Sequence, residues 1–147
     1  RWRGKGLIFS APSGTGKSTH VRLWQECFGP EVEIINDDTP ALRCQDGRVL
    51  VYGTPWSGNG SNSNISAPLE AIVVLEQAEK NIVQKLSMQE ALIYLLPRCF
   101  LPFFDAGFMG GAVENLERII KSVPVYLLRC RPDREAVEAV QRRLETG

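Results

Sequence analysis

Gly6-Leu7-Ile8-Phe9-Ser10-Ala11-Pro12-Ser13-Gly14-Thr15-Gly16-Lys17-Ser18-Thr19 is the stretch whose reading decides the fold. An apolar run of strand length enters a turn of Gly and small residues, and a helical pattern starts at His20-Val21-Arg22-Leu23-Trp24. Strand, loop and helix in that order are what a phosphate-binding loop requires. Gly14 and Gly16 let the backbone turn its N–H groups toward one point, to which the helix adds unpaired donors and the positive end of its dipole. Lys17 then reaches the β- and γ-phosphates as a point charge, and the Ser18 hydroxyl ligates a bridging Mg²⁺. Thr19 is left for packing or a helix hydrogen bond. The nucleotide-binding set is Ser13, Gly14, Thr15, Gly16, Lys17, Ser18 and Thr19. Ala11 stands where the Walker A pattern G-x-x-x-x-G-K-[ST] usually has its first Gly, so that position must adopt a conformation an L-residue tolerates.

Outward from the loop, Ser18 to Phe28 reads as a helix ended by Gly29-Pro30, and Glu31 to Ile35 as a short strand running into Asn36-Asp37-Asp38-Thr39-Pro40. Phosphoryl transfer needs a metal ligand and, when a hydroxyl attacks, an acceptor for its proton. Asp37 and Asp38, side by side at a strand end, can divide these tasks, because successive residues of an extended segment point to opposite sides. The plainer reading is an Asx turn before Thr39-Pro40.

Ala41–Cys44 and Arg48–Gly53 around Asp46-Gly47 form a hairpin, so part of the sheet is antiparallel. Thr54 to Asn64 is a polar loop, and its Asn59–Asn64 run is expected to act as a mobile lid. Ala71–Leu75 reads as a central strand and Asn81–Leu86 as a second. Ser87 with Glu90 is a capping box for a helix from Met88 to Leu96. Asp105 starts the next helix despite Gly107, Gly110 and Gly111, Val125–Leu128 is the last strand, and Asp133 caps a closing amphipathic helix.

The chain has 147 residues, 44% of them hydrophobic, enough for one domain with a real core, and it reads as a segment of a longer protein. Lys+Arg and Asp+Glu are equal at 17 each, which argues against a nucleic-acid partner. No apolar run approaches a membrane span. Cys27, Cys44, Cys99 and Cys130 lack metal-ligand spacing, so free thiols in a reducing cytoplasm are expected, and none has a partner His in view to serve as a nucleophile. His20 is the sole histidine; it either reaches a phosphate or, the plainer reading, is a solvated residue on the exposed side of its helix. Trp56 is either a base-stacking or site-closing ring or a core-edge anchor. Arg129 and Arg131 either meet the nucleotide or are ordinary strand-end charges.

Ser13–Thr19, the Asp37-Asp38 pair and Tyr52-Gly53-Thr54-Pro55-Trp56-Ser57-Gly58 together resemble the HPr kinase/phosphorylase and phosphoenolpyruvate carboxykinase superfamily. Within it the chain is most similar to the small HPr-kinase-like proteins of bacteria, from about Gly4 to Leu144. The resemblance implies a mixed β-sheet with flanking helices, Mg²⁺–ATP at the loop, and transfer of the γ-phosphate to a hydroxyl of a protein or small molecule. It assigns Asp37 as proton acceptor and Asp38, with Ser18, to the metal. Lys17 completes the catalytic set. A counterpart of the C-terminal region with which HPr kinases grip their substrate is not evident, though oligomers remain open. The extra Arg, Lys and His of the carboxykinases are missing, which disfavours decarboxylation. The alternative to a kinase is an ATP-binding switch, slow or inactive in hydrolysis, that acts through a partner protein.

Overall fold

The computed structural model describes residues 1–56 and 63–147. Ser66–Gln77 (β4) is the middle of a mixed sheet; Ala67 and Leu69 face one apolar cluster, and after a register shift opposite Gly6 and Leu7 its residues from Ile72 to Leu75 alternate between two clusters. Ile72 and Val74 face one, Val73 and Leu75 the other, because successive strand side chains point to opposite faces. One edge of β4 pairs parallel with Val125–Cys130 (β6). The other pairs antiparallel with Arg48–Tyr52 (β3) over its first residues, and parallel with Gly6–Ser10 (β1) over the rest. Ala41–Gln45 (β2) and Ile82–Lys85 (β5) extend the two ends antiparallel. Gly6 stands where β3 and β1 meet on β4, and a Cβ there would lie 2.5 Å from a Val51 methyl.

Four helices flank the sheet among the described residues. Lys17–Phe28 (α1) and Arg134–Thr146 (α4) bring Trp24, Val137 and Val140 to one face. Met88–Leu95 (α2) and Ala106–Ser122 (α3) bring Ala91, Leu95, Leu116 and Ile119 to the other. The expected caps are all formed: Ser87 and Glu90 make the reciprocal capping box, Asp105 accepts from Gly107 and Phe108 N–H, and Asp133 accepts from Ala136 N–H. The Asp46-Gly47 turn has φ of 50° and 75°, the paired positive values of a two-residue hairpin turn. No helix among the described residues is long and apolar enough to cross a membrane.

Two expectations are corrected. Glu31–Ile35 is not a sheet strand: Gly29–Glu31 is a 3-10 turn, and Val32 makes only an isolated bridge, to Trp2. The segment is drawn instead to the start of the chain, where Glu33 N–H donates to the Arg1 carbonyl at 2.8 Å and Arg1 and Arg3 pair with Glu33 and Glu31. His20 is not solvated. It is 3% exposed, because the inward stripe of α1 runs His20, Trp24, Phe28 at four-residue spacing and packs on Phe9.

Burial without a counter-charge lowers the His20 pKa from 6.5 to about 4. In the pH window from 6.5 down to 4 the unfolded chain takes up a proton that the folded one refuses, so stability is full above 6.5 and declines across that window. The loss is on the order of 3 kcal/mol by pH 4. Urea unfolding of wild type and His20→Phe at pH 7 and pH 4.5 checks this: wild type should lose stability more steeply, and parallel profiles would contradict it.

Candidate functional site

The loop of residues 11–16 leaves β1 and returns into α1 with Gly14 at φ 81° and Gly16 at φ 109°, values that favour glycine. Ala11 is buried at an ordinary φ, so the missing first Gly costs no strain. At the head of α1, Gly16 caps with no side chain and the first turn holds no acid. Neither a capping side chain nor a first-turn acid of α1 itself offsets the positive end of its dipole, a helix start of the kind that suits an anion. The loop is braced at its outer side by Gln77, whose Nε2 donates to the Thr15 carbonyl at 3.2 Å.

Lys17 and Ser18 line a cavity of about 290 Å³ with Asp37 and Asp38. The carboxylates reach it from a turn, not from the end of a sheet strand, and Asn36 builds that turn. Its Oδ1 accepts from the backbone N–H of Asp38 at 2.9 Å and Thr39 at 2.8 Å, an Asx arrangement. Its Nδ2 donates to the Thr54 carbonyl at 3.0 Å and to the Thr54 hydroxyl at 3.1 Å, and the Thr54 hydroxyl donates in turn to the Thr39 carbonyl at 2.6 Å. Asn36 and Thr54 are thus the site residues that the sequence reading left without a role. Gly53 is required by close approach: a Cβ there would lie 2.0 Å from the Ser63 carbonyl oxygen and 2.9 Å from that of Ile35. Its neighbour Trp56 is 70% exposed and so no core-edge anchor. Ser57, Gly58 and most of the expected lid, Asn59–Asn62, lie outside the described residues.

Among the remaining candidates, Arg129 pairs with Glu76 at 3.1 Å, and Arg131 with Asp133 at 2.8 Å and Glu135 at 2.9 Å. All four cysteines are free, and burial pushes the Cys99 and Cys130 thiols up, away from thiolate chemistry. No group of three or more His, Cys, Asp or Glu among the described residues is placed to hold a metal ion by itself. Ser18 and Asp38 on one cavity suit Mg²⁺, which takes one or two protein ligands and leaves its other positions to water and phosphate.

No family model and no curated protein matches the chain. Among solved structures it is similar to the HPr(Ser) kinase/phosphatase from Coxiella burnetii, at 10% identity and a TM-score of 0.49, over 97% of this chain and 90% of that one. So distant a likeness carries no information on the chemistry of the site.

Removing the Asn36 amide should release the Asp turn and little else. In Asn36→Ala, hydrogen exchange of the Asp38 and Thr39 amides should quicken by about tenfold or more, the equivalent of about 1.4 kcal/mol of local protection, while Val137 and Val140 in α4 keep theirs. Unchanged exchange at Asp38 and Thr39 would show that the turn does not depend on Asn36.

Proposed function

We propose that residues 1–147 form one P-loop nucleotide-binding domain of the HPr-kinase-like kind, which binds Mg²⁺–ATP at the 11–16 loop and transfers the γ-phosphate to a hydroxyl. The observation that carries this reading is the shared cavity: Lys17 and Ser18 from the loop side and Asp37 and Asp38 from the turn side border one space of about 290 Å³. An ATP-binding switch would need the loop, but not a pair of carboxylates brought to the same cavity.

The roles follow from chemistry. Backbone N–H groups of Gly14 and of Gly16 to Ser18, with the Lys17 ammonium, hold the phosphates and balance charge that spreads over the γ-phosphoryl oxygens in the transition state, while the Thr15 N–H is taken by the Pro12 carbonyl at 3.2 Å. Ser18 and Asp38 would hold Mg²⁺, which would supply charge neutralisation for the β- and γ-phosphates. Asp37, half-buried on the turn, accepts the proton of the attacking hydroxyl, a role the family resemblance also gives it. Asn36 keeps the two carboxylates on one rigid turn, so that the acceptor side and the metal side stay apart. The acceptor itself, a protein or a small molecule, enters on the Asp37 side.

Calorimetry and a phosphate-transfer screen with labelled ATP test the reading. Lys17→Ala should weaken Mg²⁺–ATP binding strongly, by about 1.5–3 kcal/mol for a lost charge-assisted contact. Asp37→Asn should keep nucleotide affinity and lower turnover by about 10²–10⁴-fold, while Asp38→Asn should shift the Mg²⁺ dependence and affinity together. Unchanged affinity in Lys17→Ala, or equal behaviour of the two Asp variants, would count against it.

A further inference from the structure

The connection from α2 to α3 leaves its aromatic rings outside the core. From Cys99 to Val113 the sequence carries a single charged residue, Asp105, and so apolar a stretch belongs by composition in an interior. Phe100, Phe103, Phe104 and Phe108 are instead 93%, 80%, 85% and 67% exposed. Asp105 fixes this arrangement. As the N-cap of α3 it accepts from the Gly107 and Phe108 N–H groups, which starts the helix there, with Phe104 just outside it and Phe108 in its first turn. A residue at the Phe104 position commonly packs back onto its helix, yet this ring stays open. The buried residues of α3, Leu116 and Ile119, both belong to its second half.

The area is too large to be incidental. A phenylalanine ring buries about 150–250 Å² when covered, so four rings exposed to this degree present about 500–800 Å² of apolar surface. The largest patch on an ordinary monomer is about 300–600 Å², whereas a stable interface takes about 800 Å² from each partner. These rings alone come close to that requirement.

Charge narrows the occupant. No Lys or Arg lies between Arg98 and Arg118, while Asp105, Glu114 and Glu117 do, so the basic flank that draws a segment to anionic headgroups is missing. A second copy of the chain fits better. The formal net charge is zero, and two copies meet without overall repulsion. Arg98 and Glu114, on either side of the rings in sequence, are exposed and have no ion-pair partner among the described residues. In a two-fold contact, where residue i meets j and j meets i, one such pair of opposite charges is used twice.

We propose that the connection from Phe100 to Phe108 is an isologous dimer interface, on which a second copy of this chain covers the four rings. Analytical ultracentrifugation of wild-type protein tests this, in reducing buffer so that the exposed Cys44 does not cross-link copies. It should show one monomer–dimer equilibrium with the dimer dominant at about 100 µM, within the affinity range of interfaces this size. The double variant Phe104→Ser, Phe108→Ser should raise the dimer dissociation constant by about a hundredfold or more, because aromatic anchors are hot spots and each substitution acts on both sides of the contact. Both side chains are exposed and Asp105 is kept, so thermal unfolding of the monomer should be unchanged. In wild type, isotope-filtered spectra of mixed ¹³C-labelled and unlabelled copies should give contacts between phenylalanine rings of different copies, a readout that stands even if the variant folds poorly. Wild type that stays monomeric at that concentration overturns the proposal; if the monomer floats with phosphatidylcholine–phosphatidylserine vesicles, the surface belongs to a lipid. A dimer that the double variant keeps, a dimer whose intermolecular contacts lie elsewhere, or mass that grows with no limiting dimer overturns it as well.

Discussion

Everything in this molecule is hung on β4. Its stretch Ala71 to Leu75 is buried on both faces, so neither helix layer can be placed without it, and its two edges fix where β3, β1 and β6 begin. A strand buried on both sides must be apolar throughout, and Ala71-Ile72-Val73-Val74-Leu75 is. β1, β4 and β6 run parallel there, so their carboxyl ends gather at one edge of the sheet. The 11–16 loop, Gln77 and Arg131 all follow from those ends, and parallel sheets present ligand sites at that edge.

The site then depends on what the chain leaves undone. A helix start with neither a capping side chain nor a first-turn acid is less stable alone than α2, α3 or α4, each of which has its side-chain cap. The same omission leaves α1 open to an anion. On the other side of the cavity the opposite holds: Asn36, Thr54 and Gly53 tie the Asp turn through several hydrogen bonds and a close backbone crossing. The Asp turn and the head of α1 thus border one cavity from two sides, the first tied down by its own hydrogen bonds and the second without a side-chain cap.

The parts legible in the sequence were those governed by local chemistry. The Gly-Lys-Ser-Thr turn, the Ser87–Glu90 box and the Asp46-Gly47 hairpin each specify their own backbone, and the mixed sheet with flanking helices followed from the apolar periods between them. What escaped was decided at long range. Val32, Ile34 and Ile35 have strand-forming side chains, yet Arg1 and Arg3 pair the segment with the start of the chain instead. His20 reads as solvated from its polarity, yet its four-residue spacing from Trp24 and Phe28 puts it on the buried stripe of α1. Asn36 was visible as part of a turn, but its second set of bonds, to Thr54, spans 18 residues and has no local signature. Tyr52-Gly53-Thr54-Pro55-Trp56 entered as part of a family resemblance, and Gly53 and Thr54 prove to hold the Asp turn in place.

The central claim is that the loop and the Asp turn serve one ligand. Backbone amide spectra recorded through a Mg²⁺–ATP titration test it most directly, because the two segments are far apart in sequence and border the same cavity. The account predicts that the amides of Gly14, Gly16, Lys17 and Ser18 and those of Asp37 and Asp38 shift together with one common saturation. Shifts confined to the loop with the Asp turn unmoved, or no shift in either, would contradict it.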